Sequence, residues 1–260
     1  MLTHALLGLF AAAAIAFAAR AAGSLTTSGA TAATIIGTLA VAAGWTWGAL
    51  LILYFVSSTV LSRLGRAEKE ARTSSVVAKG GQRDAVQVLA NGGVFAMAVL
   101  AMLVAPDVRW VALGAGSLAA AAADTWATEV GTLYGGTPRS ILTWRPVPAG
   151  TSGGVSLIGT LAALAGATFI ATVARTLGST SRVAGVVVLG GIVGAMVDSV
   201  LGATIQARRW CDACERETER VTHDCGAETR RLRGLSWLDN DVVNFLSNAA
   251  GGILAALLAA

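Results

Sequence analysis

Eight long runs of apolar residues, each nearly free of charge, recur along the 260 residues, far more than one soluble core has room to bury. A helix crossing a bilayer needs roughly 17 to 25 such residues. On that measure the segments are approximately 3 to 22, 28 to 43, 45 to 62, 84 to 105, 109 to 133, 153 to 175, 183 to 206 and 240 to 259. In lipid a segment must satisfy its own backbone N–H and C=O groups, so these runs read as helices. The expected fold class is all-α, a polytopic transmembrane helical bundle of about eight spans. Only 13% of the residues are charged, about half the share of a soluble domain. Residues 1 to 22 lack the basic n-region of a secretory signal and are followed by further spans, so they count as the first span.

Lys and Arg then set the orientation. The loop 63 to 83 carries six of them, the loop 134 to 152 carries Arg139 and Arg145, and the loop 207 to 239 carries seven. With Arg20, sixteen of nineteen fall on one side of an eight-span chain. The positive-inside rule places these loops in the cytoplasm and both termini outside, in a multi-pass protein of the cell membrane. Basic charge that encodes topology gives no reason to invoke nucleic acid.

An internal echo suggests two halves. Thr27-Ser28-Gly29 followed by Ile36-Gly37-Thr38-Leu39-Ala40 returns as Thr151-Ser152-Gly153 followed by Ile158-Gly159-Thr160-Leu161-Ala162. Likewise Asp84, Gln87 and Asn91 return as Asp241, Asn244 and Asn248, each set at the start of a span after a basic loop. The expected organisation is a four-span half over 1–105 and a second over 106–260, parallel repeats, with a cytoplasmic Cys/His loop at 207–239.

Ionisable groups inside spans are expensive, and Asp124, Glu129 and Asp198 are three of them. Asp124 and Asp198 lie on spans of the same direction, roughly 10 to 15 Å below the cytoplasmic surface at 1.5 Å rise per residue. The same leaflet receives the starts of spans two, four, six and eight, with Asp84, Gln87 and Asn91, the Thr151-Ser152-Gly153-Gly154 turn, and Asp239-Asn240-Asp241 with Asn244. Carboxylates and amides at one depth suit Mg²⁺, which bridges to phosphates. A span beginning at Thr151 to Gly154 would offer free N–H groups and a helix dipole to an anion. Asp239 or Asn240 is also explained as a helix cap, and each single acid as a packing residue. Lys79, Arg83, Arg139 and Arg145 serve topology, and could hold phosphates as well.

In the last basic loop Cys211-x2-Cys214 precedes His223-x-Cys225. Three thiolates and one imidazole complete a tetrahedral Zn²⁺ set with no open position, so the expectation is a structural zinc, set against three unrelated cytosolic thiols. Soluble nucleotide motifs are absent: no G-x-x-x-x-G-K-[ST] occurs, and the glycines at Gly114 and Gly116 lie inside a span. A nucleophile reading finds no support either, since His4 and His223 are the two histidines and neither lies near a span serine in sequence.

At these residues the sequence resembles the DUF92 integral membrane family, which includes the plant phytyl-phosphate kinase of vitamin E synthesis and transmembrane protein 19. The carrying motifs are Gln82-Arg83-Asp84 through Asn91-Gly92-Gly93, Asp124-Thr125-Trp126-Ala127-Thr128-Glu129, Gly150 to Ser156, Asp198-Ser199 through Gly202-Ala203-Thr204-Ile205-Gln206, and Asn240-Asp241 with Asn244. The resemblance implies a nucleotide-dependent kinase, using CTP or another nucleoside triphosphate with Mg²⁺, that converts a phytyl- or geranylgeranyl-like prenyl monophosphate to the diphosphate at the cytoplasmic leaflet. On that reading Asp124, Glu129 and Asp198 hold Mg²⁺, Thr151 to Gly154 hold a phosphate, Asn91, Asn240 and Asn244 orient, and Lys79 and Arg83 supply charge. Asp241 or Asp84 is the alternative metal ligand. The competing class is an ion-coupled secondary transporter of a small or lipid-like substrate, which acids in parallel repeats would serve equally.

Overall fold

A computed structural model describes residues 2–260. Eight long helices stand where the eight segments were expected: α1 (Leu2–Ala21), α2 (Thr27–Ala43), α3 (Trp45–Arg63), α5 (Ala85–Val104), α6 (Val108–Tyr134), α7 (Leu157–Thr176), α8 (Ser181–Thr204) and α9 (Asn240–Ala259). The short helix α4 (Arg66–Thr73) lies inside the first basic loop, where no helix is expected from the apolar runs. Six of these helices are long and apolar enough to cross a membrane by length and composition. The remaining two long ones depart in different ways. α2 has 17 residues, the lower end of the spanning range. α6 is central, with every residue from Gly114 to Ala123 buried, so protein rather than lipid satisfies its surface.

Local chemistry sets the boundaries. Thr26, Asp84, Asp107, Ser156, Thr180 and Asp239 each cap a helix by accepting a backbone N–H in its first turn. The α2–α3 break falls at Gly44, whose φ of 140° few other residues adopt.

α6 packs against α3, α4, α5, α7, α8 and α9, and α9 also packs on α5 and α8. Small residues allow that density. A Cβ on Gly194 would collide with Ala120 and the Ser247 carbonyl, so α6, α8 and α9 meet almost backbone to backbone.

The loops are not wholly helical or irregular, as an all-α reading supposes. β1 (Arg139–Ser140) pairs antiparallel with β2 (Gly154–Val155), matching Arg139 with Val155. In the last basic loop β3 (Arg208–Cys211) is the centre strand of a three-stranded antiparallel sheet, flanked by β4 (Arg216–Thr218) and β5 (Arg230–Arg233). All three basic loops gather at one end of the bundle. Glu219 N–H donates to the Val76 carbonyl, Ser152 Oγ bonds to Glu219, and Lys79 reaches Asp241. The start of α1 and the end of α9 lie at the opposite end, where Arg182 donates to the Ala260 carbonyl.

Candidate functional site

Asp124 is where the buried stretch of α6 first becomes partly accessible. Among the described residues its carboxylate receives no hydrogen bond, and the Glu129 carboxylate acts on it electrostatically. Asp198, on the adjacent α8, accepts one hydrogen bond, from Ser247 Oγ of α9 at 3.2 Å, and lies within electrostatic range of Asp124 and of Glu219. From the other side, α3 presents the buried Tyr54 phenol beside Ser58 and Thr125, within range of Asp124 and Arg83. Ser58 Oγ is fully buried and finds no hydrogen-bond partner among the described residues. Carboxylates with spare lone pairs in a low-dielectric setting need a cation or a proton, so the donor set fits a hard, oxygen-seeking ion.

Glu129, one turn further along α6, differs. It accepts from Ser62 Oγ at 2.7 Å and is ion-paired with Lys69, a buried residue of α4. The Lys69 ammonium also donates to the carbonyls of Leu61 (2.7 Å) and Ser62 (3.1 Å), placing a cation on the C-terminus of α3. Arg83 donates to Ser62 Oγ at 3.2 Å. Glu129 is thus saturated by protein, and the three expected Mg²⁺ ligands do not meet as one group. Among the described residues only the Cys/His cluster brings three or more acidic, His or Cys ligand atoms within 4.8 Å of one another.

The starts of α5 and α9 sit side by side, as their shared motif suggests. Asp84 and Gln87 form a capping box on α5. The Lys79 ammonium bridges the two starts, 2.5 Å from Asp241 and 3.2 Å from Asp84. Burial pulls its pKa down, but the two carboxylates more than offset this and hold it above the ordinary lysine value. Asp241 is buried, and in this structure Lys79 is engaged by carboxylates rather than free for a phosphate. Asn248, buried, donates to the Ala90 carbonyl at 3.1 Å and staples α9 to α5. Asn91 donates to the Gln87 carbonyl of its own helix, Asn244 is half-buried, and Asn240 is exposed at the head of α9.

Thr151 to Gly154 do not open a helix. α7 begins at Leu157 behind the Ser156 cap, while Gly150 (φ 82°) and Gly153 (φ 79°) turn the chain into β2. That turn packs on α8 just after Asp198: a Cβ on Gly153 would meet the Ser199 carbonyl at 2.7 Å, and a Cβ on Gly202 would meet Ser152 at 2.9 Å. The expected free helix N-terminus at this point is therefore replaced by a turn clamped from above. Ser152 Oγ bonds to Glu219, and the Ser152 carbonyl accepts from Arg208 at 2.5 Å. Burial pushes the Glu219 carboxyl above its ordinary value, although Ser152, Arg208 and Gln206 each favour the charged form.

Sequence reasoning missed Tyr54, Ser58, Ser62, Lys69, Glu219 and Ser247. The first three were findable: hydroxyls at intervals of four mark one polar stripe down the apolar α3. A cavity of about 450 Å³ opens away from the carboxylates, between Phe17 and Arg20 of α1, Thr26, Thr27 and Gln82.

The four Cys/His residues lie together in the β3–β5 lobe. Cys211 Sγ is 3.6 Å from Cys225 Sγ, and His223 Nδ1 is 3.4 Å from Cys225 Sγ. The Ala227 N–H and His223 hold the Cys225 thiol down at about 6, and hydrogen bonding to Cys225 together with burial pushes Cys214 up to about 11.

A helical bundle with two under-satisfied carboxylates beneath a gathered set of basic loops defines a polytopic membrane protein with an intramembrane polar site. Residues 10–252 match the family described as integral membrane protein DUF92, and the chain belongs to it. It is 34% identical to Protein PGR of Arabidopsis thaliana, over 90% of this chain and 88% of that one. It is 32% identical to Protein VTE6, chloroplastic, of the same plant, over 90% of this chain and 65% of the relative, and 31% identical to the uncharacterized membrane protein sll0875 of Synechocystis, over 82% and 74%. No solved structure matches the chain.

Proposed function

We propose that the chain is a membrane-embedded, nucleotide-dependent kinase, using CTP or another nucleoside triphosphate, that phosphorylates a prenyl monophosphate to the diphosphate at the cytoplasmic leaflet. The observation that carries the site is the Asp124 carboxylate, which no group among the described residues satisfies, within electrostatic range of Asp198 at the basic end of the bundle. The family resemblance supports the substrate class. The sixteen basic residues at that end support a cytoplasmic assignment, with both termini outside.

A prenyl phosphate keeps its tail in lipid and its head at the interface, where a nucleotide arrives from water. Phosphoryl transfer there asks for positioning and charge neutralisation rather than a protein nucleophile. Asp124 and Asp198 would hold Mg²⁺, which when bound neutralises phosphate charge. Glu129 is withdrawn from that role by Lys69 and instead fixes α4 under the site. Lys79, held beside Asp84 and Asp241, is poised to shift onto a phosphate, and Arg83 adds charge from the α3 side. The turn Thr151 to Gly154 bounds the site next to Asp198, and Asn91, Asn240 and Asn244 orient the bound groups.

The test is purified protein in detergent with Mg²⁺, radiolabelled CTP or ATP, and a panel of prenyl alcohols and monophosphates, read as labelled lipid. Label in the diphosphate of a prenyl acceptor is expected. No labelled lipid with any acceptor overturns the reading and leaves ion-coupled transport as the use of the two acids.

A further inference from the structure

We propose that Cys211, Cys214, His223 and Cys225 hold one zinc ion, and that this metal is the fastening by which the β3–β5 lobe grips the segment carrying Lys79 and the turn at Ser152. The inference does not depend on the kinase reading. The first support is geometric. A tetrahedron with metal–sulfur bonds of about 2.3 Å and a metal–nitrogen bond of about 2.0 Å has edges of about 3.8 Å between sulfurs and about 3.5 Å from sulfur to nitrogen. The lobe already shows 3.6 Å for Cys211 to Cys225 and 3.4 Å for His223 to Cys225, with one ligand atom from each of the four within 4.8 Å of all the others. Free thiols gain little by gathering in this way.

The second support lies in the backbone. Cys214 and Cys225 close the two ligand pairs, and each is followed at once by a left-handed residue, Glu215 (φ 51°) and Gly226 (φ 84°). Among the described residues Glu215 is one of two non-glycine residues with positive φ. A bulky residue tolerates that conformation where the surroundings over-determine it. After Gly226 the turn brings the Ala227 N–H onto Cys225 Sγ, a donor suited to a thiolate bound to a cation. His223 is 6% exposed and Cys211 fully buried, so half of the set is shut off from water in a lobe whose sheet is only three short strands. A sheet that small has too little core to hold itself together without a cross-link.

What the lobe does follows from its contacts. Glu219 N–H donates to the Val76 carbonyl at 2.8 Å, Arg220 Nε donates to the Val77 carbonyl at 2.9 Å, and Thr218 Oγ1 reaches Val76 at 3.4 Å. Glu219 and Arg208 hold Ser152. Lys79 follows Val77 by two residues and bridges Asp84 to Asp241. Loss of the metal would therefore loosen the lobe first and then the lysine that joins α5 to α9.

The experiment uses the full chain in detergent, purified without chelator from zinc-supplemented cells, with metal content by mass spectrometry and trypsin sensitivity as the two readouts. About one zinc per chain is expected, lost in the Cys211→Ser, Cys214→Ser double variant. Stripping zinc should speed cleavage within 207–239 and at Lys79 by about ten-fold or more, with helix content unchanged, and added zinc should restore protection. Should the double variant fail to fold, His223→Cys keeps a legitimate four-sulfur set and must retain zinc, whereas His223→Ala must lose it. Asp212→Ala, in the lobe but outside the cluster, must retain it. Zinc-replete protein without zinc, a Cys211 to Cys225 disulfide in its place, or stripped protein as trypsin-resistant as loaded protein would each overturn the proposal.

Discussion

Asp124 and Glu129 lie five residues apart on α6, yet their surroundings are opposite. Glu129 is met by Lys69, Ser62 and, through Ser62, Arg83, in a network that ties α3, α4 and α6 together. Among the described residues Asp124 is met by no donor, and its neighbour Asp198 by one hydroxyl. A charge in a low-dielectric interior is retained either because a partner neutralises it or because something absent from the chain does. Glu129 is part of the architecture, and Asp124 is left free for the metal site proposed above. An ionisable residue in a span identifies a functional locus only once its partners have been counted.

The sharpest way to break that contrast is to remove Lys69. Lys69→Met would leave the half-buried Glu129 carboxylate without its ammonium partner and take the Lys69 cation away from the C-terminus of α3. Removing one partner of a buried pair costs about 3 to 5 kcal/mol, which here is on the order of 10 °C in the thermal midpoint. Glu129→Gln, which can still accept from Ser62, should cost less. A Lys69→Met protein that melts like wild type would show that Glu129 is no better supported than Asp124, and the distinction would fall.

Asp124→Asn and Asp198→Asn should behave in the reverse sense. Among the described residues Asp124 meets no donor and Asp198 only the Ser247 hydroxyl, so neutralising either removes a poorly compensated, desolvated charge and the midpoint should stay or rise. Mg²⁺-dependent transfer to a prenyl phosphate should fall by about 10² or more, equivalent to about 2.7 kcal/mol of transition-state stabilisation. Loss of stability with full activity in either variant would make that acid a packing residue.

Between these extremes lies a neutral polar contact, Asn248 to the Ala90 carbonyl, which joins the two helices of the repeated motif. Asn248→Leu should cost about 1 to 2 kcal/mol in thermal or denaturant unfolding, the range for a buried hydrogen bond. It should leave Mg²⁺ dependence untouched. A change in metal dependence would mean that the α5–α9 contact shapes the carboxylate site.

The sequence made the helices and the facing of Asp124 and Asp198 readable because a charge-free run and a fixed rise per residue are local properties. Lys69 was not readable as a partner. It lies 60 positions from Glu129 in a loop with five other cations, and nothing in its neighbours distinguishes it from them. Thr151 to Gly154 misled by likeness. The same three letters open α2 at Thr27, but at 151 the left-handed Gly150 and Gly153 and the pairing with β1 delay the helix to Leu157. Glu219 was hidden in an alternation of charges across a loop whose fold depends on contacts to Val76 and Ser152.

Glu219 also gives the smallest test of the comparison, because it stands between the two classes: partly satisfied by Ser152 and Gln206, yet buried enough that its carboxyl titrates above the ordinary range. A group whose folded pKa is raised binds more protons folded than unfolded, so its contribution to stability is complete below the ordinary glutamate value and is lost as pH rises through the folded one. Glu219→Gln keeps an acceptor for both bonds and does not titrate. Relative to wild type the variant should gain stability as pH rises across that window and lose the advantage below it. The difference should stay within about 2 °C, measured as thermal midpoints between pH 4 and pH 8. A variant less stable at pH 8 than at pH 4, relative to wild type, would mean that Arg208 holds Glu219 as a charged pair, and Glu219 would then join Glu129 on the architectural side.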